Sequence, residues 1–286
     1  MTSPNGIIDA REGISVVQVG GTASLNSFSL PGGYVTAANS PIAYRLFAYG
    51  PGSEGGSADP GASLVGNASG YWDYRLQSAY VEPDGPVTPS PNEVLPSDAR
   101  PEVAPQVASY LSAAASFLHA GILDMDNLHR RLGEVRDDRD LARDKGPGEM
   151  FFRAYGGNFR YSTNLSFQQY GYNTTGDYAA IQLGGNLFKE EGENGIWRFG
   201  VAGSVGWLKF SPIAIDGASR TRATIYRING YGTYQSNNGW YIDGIVSGGW
   251  FDGDVSTDAR GRTSSMNGSV FAASIEGGYP FAMPTG

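Results

Sequence analysis

Between residues 148 and 286 the chain alternates apolar and small or polar side chains with a period of two. It does so in about six stretches of roughly ten residues, separated by glycine-rich or polar turns. The clearest stretch runs from Trp197 to Trp207. Trp197, Phe199, Val201, Gly203, Val205 and Trp207 fall on one side, and Arg198, Gly200, Ala202, Ser204 and Gly206 on the other. Ile181, Leu183 and Leu187 oppose Gln182, Gly184 and Asn186; Trp240, Ile242, Val246 and Trp250 oppose Tyr241, Asp243 and Ser247. Phe271, Ala273, Ile275, Gly277, Tyr279 and Phe281 oppose Ala272, Ser274, Glu276 and Gly278. This is a meander of antiparallel strands, because successive strand side chains point to opposite faces. A soluble sheet alternates as well, so a β-sandwich or lectin-like domain stays open on periodicity alone. Two features favour a membrane barrel. The apolar face ends in aromatics at Trp197, Trp207, Trp240, Trp250, Phe271 and Phe281, where amphipathic rings would meet the two bilayer interfaces. The opposite face is small and polar, as a lumen requires. Lipid offers no hydrogen bonds, so such a sheet must close on itself.

Composition agrees. The 286 residues include 42 glycines and 12 % aromatics, and only 17 % are charged, against about 25 % in an ordinary soluble domain. The net charge of −8 gives no electrostatic support for nucleic-acid binding. Cysteine is absent, which excludes disulfides and thiolate metal sites. His119 and His129 lie apart with no cysteine partners, so the sequence indicates neither a metal nor a cofactor. No nucleophile elbow or phosphate-binding loop occurs. No run of 18 apolar residues exists, and Met1-Thr2-Ser3-Pro4-Asn5-Gly6 does not open a signal peptide.

Upstream of residue 148 three regions separate. Residues 1–80 are glycine-rich with short strands at Gly13 to Val19, Tyr44 to Tyr49 and Trp72 to Leu76, around a loop from Gly50 to Gly70. Residues 81–102 hold Pro83, Pro86, Pro89, Pro91, Pro96 and Pro101, which predicts a stiff, extended spacer. Residues 103–145 are helical. Val107, Leu111, Ala114, Leu118, Ile122, Met125 and Leu132 recur near helical spacing, and Ser109, Ser116, His119, Asp126, Arg130 and Glu134 occupy the other face. Periodicity alone is equally compatible with an ordinary surface helix ending in solvated charges.

Two segments are more specific. Leu123-Asp124-Met125-Asp126-Asn127-Leu128-His129-Arg130-Arg131-Leu132-Gly133-Glu134-Val135-Arg136 resembles the helix that precedes the barrel in classical autotransporters, the type V secretion proteins. Gly148 to Gly156 is similar to that family's first strand, although Phe151 stands where the family usually has Trp. Gly13 to Val19, Phe28-Ser29-Leu30, Tyr44-Arg45-Leu46 and Trp72 to Leu76 look like the end of a pertactin-like passenger, which caps a β-helix and assists its folding. The resemblance implies an all-β fold with one helix: passenger end (1–80), proline-rich linker (81–102), a pore helix (103–145) and about six antiparallel strands (146–286) of a normally twelve-stranded transmembrane barrel. It also implies a chain truncated at both ends.

The function so implied is physical rather than enzymatic: anchoring in the bacterial outer membrane and export of the chain's own passenger to the cell surface. Outer-membrane lipid, the barrel assembly machinery and periplasmic chaperones would be its partners. A surface adhesin, acting on a host surface through the passenger part, is the alternative. Arg153, Arg198, Asp243 and Glu276 on inward faces are expected to meet Asp126, Arg130, Arg131 or Glu134 of the helix, or else lumen water. Some members cleave their passenger by asparagine cyclisation, which makes Asp126 and Asn127 the self-cleavage candidates; an ordinary polar helix position is the competing reading.

Overall fold

The computed structural model describes residues 10–66, 69–87, 94–137 and 149–281. Residues 138–145 of the expected helix, part of the proline-rich segment and the last five residues of the chain lie outside these.

The C-terminal half forms one six-stranded antiparallel sheet. Its strands are β7 (Met150–Tyr161), β8 (Asn173–Gly192), β9 (Gly195–Ile213), β10 (Ser219–Ser236), β11 (Tyr241–Thr257) and β12 (Gly261–Gly278), each paired with the next in chain order. The sheet is a half-barrel. Strands β8 to β12 have 17–20 residues, nearly twice the roughly ten expected from the alternation. A tilted span needs only about 9–11. The surplus lies beyond Trp207 and Trp250, where the outward side chains become charged: Asp177 lies opposite Lys209, Lys209 opposite Arg222, and Arg222 opposite Asp254. Alternation survives there but the outer face is no longer apolar, so a hydropathy reading stops short of the strand end.

The turns differ between the two ends. Residues 193–194 and 237–240 connect strands at one end; 162–172, 214–218 and 258–260 connect them at the other. The longest connections, 162–172 and 214–218, share one end with the three-residue turn 258–260; in outer-membrane barrels the end with longer loops is extracellular and the end with short turns periplasmic.

Helix α1 (Gln106–Asp137) lies against the inward face and touches all six strands. Along its first half it lies there with the face opposite to the one its apolar periodicity suggests, whereas Leu132 further on is buried as expected. Ser109, Ser112, Ser116, Ala120 and Asp124 are buried, while Leu111, Leu118 and Ile122 are 57 %, 66 % and 56 % exposed. The physical reason is space and chemistry. The half-barrel wall carries tyrosines, arginines and other polar groups that fill the gap, so a helix with small and polar side chains approaches it most closely. At Gly121 a Cβ would meet the Arg227 guanidinium at 3.3 Å. Two apolar clusters hold the helix on the wall. Phe117 and Ala120 pack with Tyr178, Ala180, Leu208, Phe210, Ala223 and Ile225; Leu128 and Leu132 pack with Ala202, Tyr231 and Ile245.

Upstream, β1 (Ile14–Val19), β2 (Tyr44–Tyr49) and β3 (Trp72–Ser78) form a sheet in the order β1-β3-β2, with every pairing antiparallel. No parallel rung of the kind a β-helix stacks occurs among the described residues. The proline-rich segment is not the free extended spacer that its composition suggests. Its ends fold onto β4 (Tyr80–Glu82), which pairs antiparallel with β5 (Gly85–Pro86) and β6 (Arg100–Pro101). The prolines stay compatible because β5 and β6 are two-residue edge strands, where a missing N–H costs little.

Candidate functional site

The site is the inward face of the half-barrel with α1 upon it, and it divides into three levels along the helix. At the long-loop end the contacts are short and polar: Ser109 meets Ser219 at 2.9 Å, and Thr174 donates to Ser112 at 2.8 Å. At mid-height Asp124 is the hub. Its carboxylate accepts from the hydroxyls of Tyr155 (2.6 Å) and Tyr178 (2.7 Å), and Arg227 Nε lies 2.7 Å away. Tyr178 occupies the space left by Gly206, whose Cβ would stand 2.1 Å from the tyrosine oxygen. A large residue and a glycine on adjacent strands thus form one complementary pair, and one oxygen of a buried carboxylate receives two hydroxyl donors. At the short-turn end Arg136 binds Asp243 and stacks on Tyr241 at 3.5 Å.

The inward charged residues foreseen from sequence meet the helix in part. Arg153 Nη1 lies 3.3 Å from Glu134, and Arg131 Nη2 lies 2.9 Å from Glu149 and Nη1 3.8 Å from Glu134. Asp243 pairs with Arg136, and Glu276 lies 3.9 Å from the same guanidinium and 3.5 Å from His129. Neither meets Arg130, Arg131, Asp126 or Glu134, contrary to expectation. Arg130 instead pairs with Asp126 on the helix itself at 2.8 Å, with both side chains exposed. Helical rotation decides this: Asp126, Arg130 and Glu134 continue the exposed stripe of Leu118 and Ile122. Arg198 is fully buried, and its Nη1 and Nη2 have no hydrogen-bond partner among the described residues. Asn127 is buried in unbroken helix, with Nδ2 donating to Gln182 Oε1 at 3.1 Å. Sequence reasoning passed over Asp124, Tyr155, Tyr178, Arg227 and Arg136. Only the inward parity of Tyr178 and Arg227 on their strands could have pointed to them.

The outer face carries the aromatics. Trp197, Phe199, Tyr234 and Trp240 form one cluster near the short turns, with ring centroids 4.7–5.7 Å apart. Tyr226 stacks on Trp250 at 5.6 Å near the other boundary, where Trp207 lies opposite Thr224. Phe271 and Phe281 are 77 % and 85 % exposed. Ten residues separate Trp197 from Trp207, about 34 Å of strand at about 3.4 Å per residue. At a tilt of about 40° that is roughly 26 Å of height, the height of an outer-membrane apolar band.

Beyond this band the upstream module sits on the long loops. Arg100 forms two 2.7 Å bonds to the two Asp216 oxygens, donates to Phe167 O at 2.9 Å and lies 4.3 Å from the ring centres of both Phe167 and Tyr170. Asp216 also accepts from the Val103 amide (3.0 Å) and the Tyr172 hydroxyl (2.8 Å). Burial alone would raise the Asp216 carboxyl. The hydrogen bonds from Arg100, Val103 and Tyr172, with the guanidinium charge, outweigh it and hold the group below its usual range. Arg260, in the turn before β12, donates to Tyr34 O and covers the Tyr34 ring at 4.1 Å. Arg45 holds Glu102 through two charged bonds of 2.7 and 2.5 Å, fixing the last residues before α1.

Residues 150–286 match the family model described as autotransporter β-domain. Over 281 residues the chain is 28 % identical to the uncharacterized protein YdeU of Escherichia coli K12, covering 96 % of this chain and 55 % of that protein. Over 270 residues it is 25 % identical to the adhesin BmaC autotransporter of Brucella suis biovar 1, covering 88 % of this chain and 7 % of the adhesin. The chain therefore spans about half of one relative and a small part of the other. Among solved structures, the transport unit of the autotransporter AIDA-I from Escherichia coli is 23 % identical over 48 % of this chain and 46 % of that one, with a TM-score of 0.38.

Proposed function

We propose, from the match of residues 150–286 to the autotransporter β-domain family, an outer-membrane translocator family, that the chain anchors and exports its own passenger, with residues 10–104 on the outside of the cell. The observation that carries this reading is α1. It runs along the inward wall from the long-loop end to the short-turn end, and its N-terminal end is continuous with a module seated on the long loops. A segment so placed is what remains after a polypeptide has passed outward through the lumen. The reaction is translocation, and no covalent chemistry is required of the wall. Outer-membrane lipid meets the aromatic band; the barrel assembly machinery and periplasmic chaperones are the partners that insertion of such strands calls for.

The test is surface exposure. An epitope placed in the loop at Gly52 to Gly55, in a polypeptide carrying a cleavable export signal, becomes accessible to antibody and to protease in intact cells. The barrel strands meanwhile fractionate with the outer membrane. An epitope that is protected in intact cells although the strands are membrane-inserted refutes the reading.

A second reading, adhesion through the upstream part, draws on the printed name of the Brucella suis relative. The three-stranded antiparallel arrangement of β1, β2 and β3 favours a cap over a binding ladder. Adhesion would then reside in passenger residues other than 10–104.

A further inference from the structure

One cluster near the short-turn end holds more than the Arg136–Asp243 pair that fastens the helix there. His129 on α1, Asp243 on β11 and Glu276 on β12 bring a ring nitrogen and two carboxylates together, with the nearest atoms all within 4.8 Å of one another. Asp243 is fully buried and His129 is 9 % exposed. His129 Nδ1 lies 3.5 Å from Glu276 Oε2 and 4.0 Å from Asp243 Oδ2, and it has no hydrogen-bond partner among the described residues. These spacings exceed an N–H···O hydrogen bond, which runs about 2.7–3.2 Å. The 3.5 Å spacing matches neighbouring ligands around a small cation, since bonds of about 2.0–2.2 Å in a tetrahedron set ligand atoms about 3.4 Å apart; Asp243 Oδ2, at 4.0 Å and held by Arg136, must close in by a small shift to join them.

The geometry points to a binding site for one divalent transition-metal ion, zinc fitting best, formed by His129 Nδ1, Asp243 and Glu276. The ion staples the C-terminal part of α1 to β11 and β12. The surroundings prepare each ligand. His129 Nε2 lies 3.0 Å from Ser274 Oγ; with Nε2–H donating there, Nδ1 keeps its lone pair facing the two carboxylates. A lone pair directed at two anions is repulsive until a cation stands between them. Glu276 Oε1 accepts from the Tyr241 hydroxyl at 2.7 Å, which leaves Oε2 to bind. Asp243 Oδ1 accepts from Thr233 at 2.5 Å, which fixes the carboxylate plane. The Glu276 side chain is 42 % exposed, so a solvent molecule completes a fourth position. Borderline nitrogen and oxygen donors suit zinc over calcium or magnesium. Arg136 competes for the same oxygens, since it binds Asp243 Oδ2 and lies 3.9 Å from Glu276. The site escapes a reading of histidine spacing because its other two ligands come from strands far along the chain.

The test uses the full chain in detergent micelles, stripped by chelator and then titrated with Zn²⁺ by calorimetry and with Co²⁺ by visible absorption. One ion binds per chain with a tetrahedral cobalt spectrum. His129→Gln and Glu276→Gln each weaken binding at least tenfold, and Arg136→Gln tightens it. Unchanged heat-dependent gel mobility certifies folding of each variant. In the parent chain, nitrogen-15 NMR of histidine shows the His129 Nδ1 resonance moving to a metal-bound position once zinc is added. The proposal is overturned if the parent binds no ion saturably, or if the substitutions leave affinity unchanged. It is overturned equally if the His129 Nδ1 resonance is unmoved in excess zinc.

Discussion

Asp216→Asn is the sharpest test of how the upstream module is held. In the parent the Arg100 guanidinium, 4 % exposed, meets both Asp216 oxygens at 2.7 Å. The neutral amide leaves a buried cation without its counter-charge, and such truncations cost about 3–5 kcal/mol. Arg100 keeps its bond to Phe167 O and its contacts with the Phe167 and Tyr170 rings. The expected cost is therefore at the lower end, about 3 kcal/mol. At about 1.36 kcal/mol per decade this is roughly a 150-fold increase in local opening. Hydrogen exchange at the Val103 amide, which Asp216 accepts at 3.0 Å, reports it directly. The replacement Arg100→Met with Asp216→Leu should recover most of the loss, because removing both charges also removes the desolvation penalty. An exchange rate that rises less than about fivefold, against the roughly 150-fold worked from the buried-pair cost, refutes the idea that this pair holds the module. The pH dependence has a definite sign. The folded Asp216 pKa is depressed, so its contribution is complete above the unfolded value of about 3.9 and is lost as pH falls through the lower folded value. Opening is thus flat near neutrality and rises only below about pH 4.

Three further outcomes follow from the wall and the band. Ile228→Arg puts a charge on the outward face opposite Gly203, midway between Trp197 and Trp207; it should cost about 2–4 kcal/mol of insertion, read as the urea midpoint in vesicles, whereas Arg222→Ala in the charged collar should change it by less than about 0.5 kcal/mol. Gly206→Val forces the Tyr178 hydroxyl away from Asp124, an overpacking of about 1–3 kcal/mol seen as a lowered midpoint of heat-dependent gel mobility. Asp124→Ala leaves Arg227 buried beside the helix and should loosen α1 by about 3–5 kcal/mol, detected as faster exchange of the amides from Phe117 to Leu128; unchanged exchange would mean the apolar clusters alone hold the helix.

The half-barrel was legible because inward and outward residues obey a period that tertiary context does not alter. Trp197 to Trp207 is as outward in space as in the sequence. The strand ends were not legible, because the outward positions past Trp207 and Trp250 carry Lys209, Asp252 and Asp254, which read as turn residues. The helix was legible as an element and misleading as a face. Leu111, Leu118 and Ile122 form the stripe one expects to be buried, yet a wall lined with Tyr178, Gln182, Arg227 and Asn229 takes Ser109, Ser116, Ala120 and Asp124 instead. Likewise the ion pairs obey parity but not partner choice. Asp243 faces inward as expected, and only the rotation of α1 decides that Arg136 rather than Arg131 reaches it. The proline count in 81–102 speaks of stiffness, whereas the fate of the segment is set by Arg100, a single residue that pulls it onto the loops.

The grip of Arg100 on the β9–β10 loop has a mechanical consequence. A pull applied at β1, β2 or β3 travels down the chain to β6 and Arg100 before it reaches α1. There the load passes sideways into Asp216, Phe167 and Tyr172, and through them into a twenty-residue and a nineteen-residue strand. The helix below is held separately, by the Ser109–Ser219 contact, by Asp124 and by the two apolar clusters. Because the force is grounded at Arg100, ahead of the helix that begins at Gln106, α1 stays slack while the chain above it is taut.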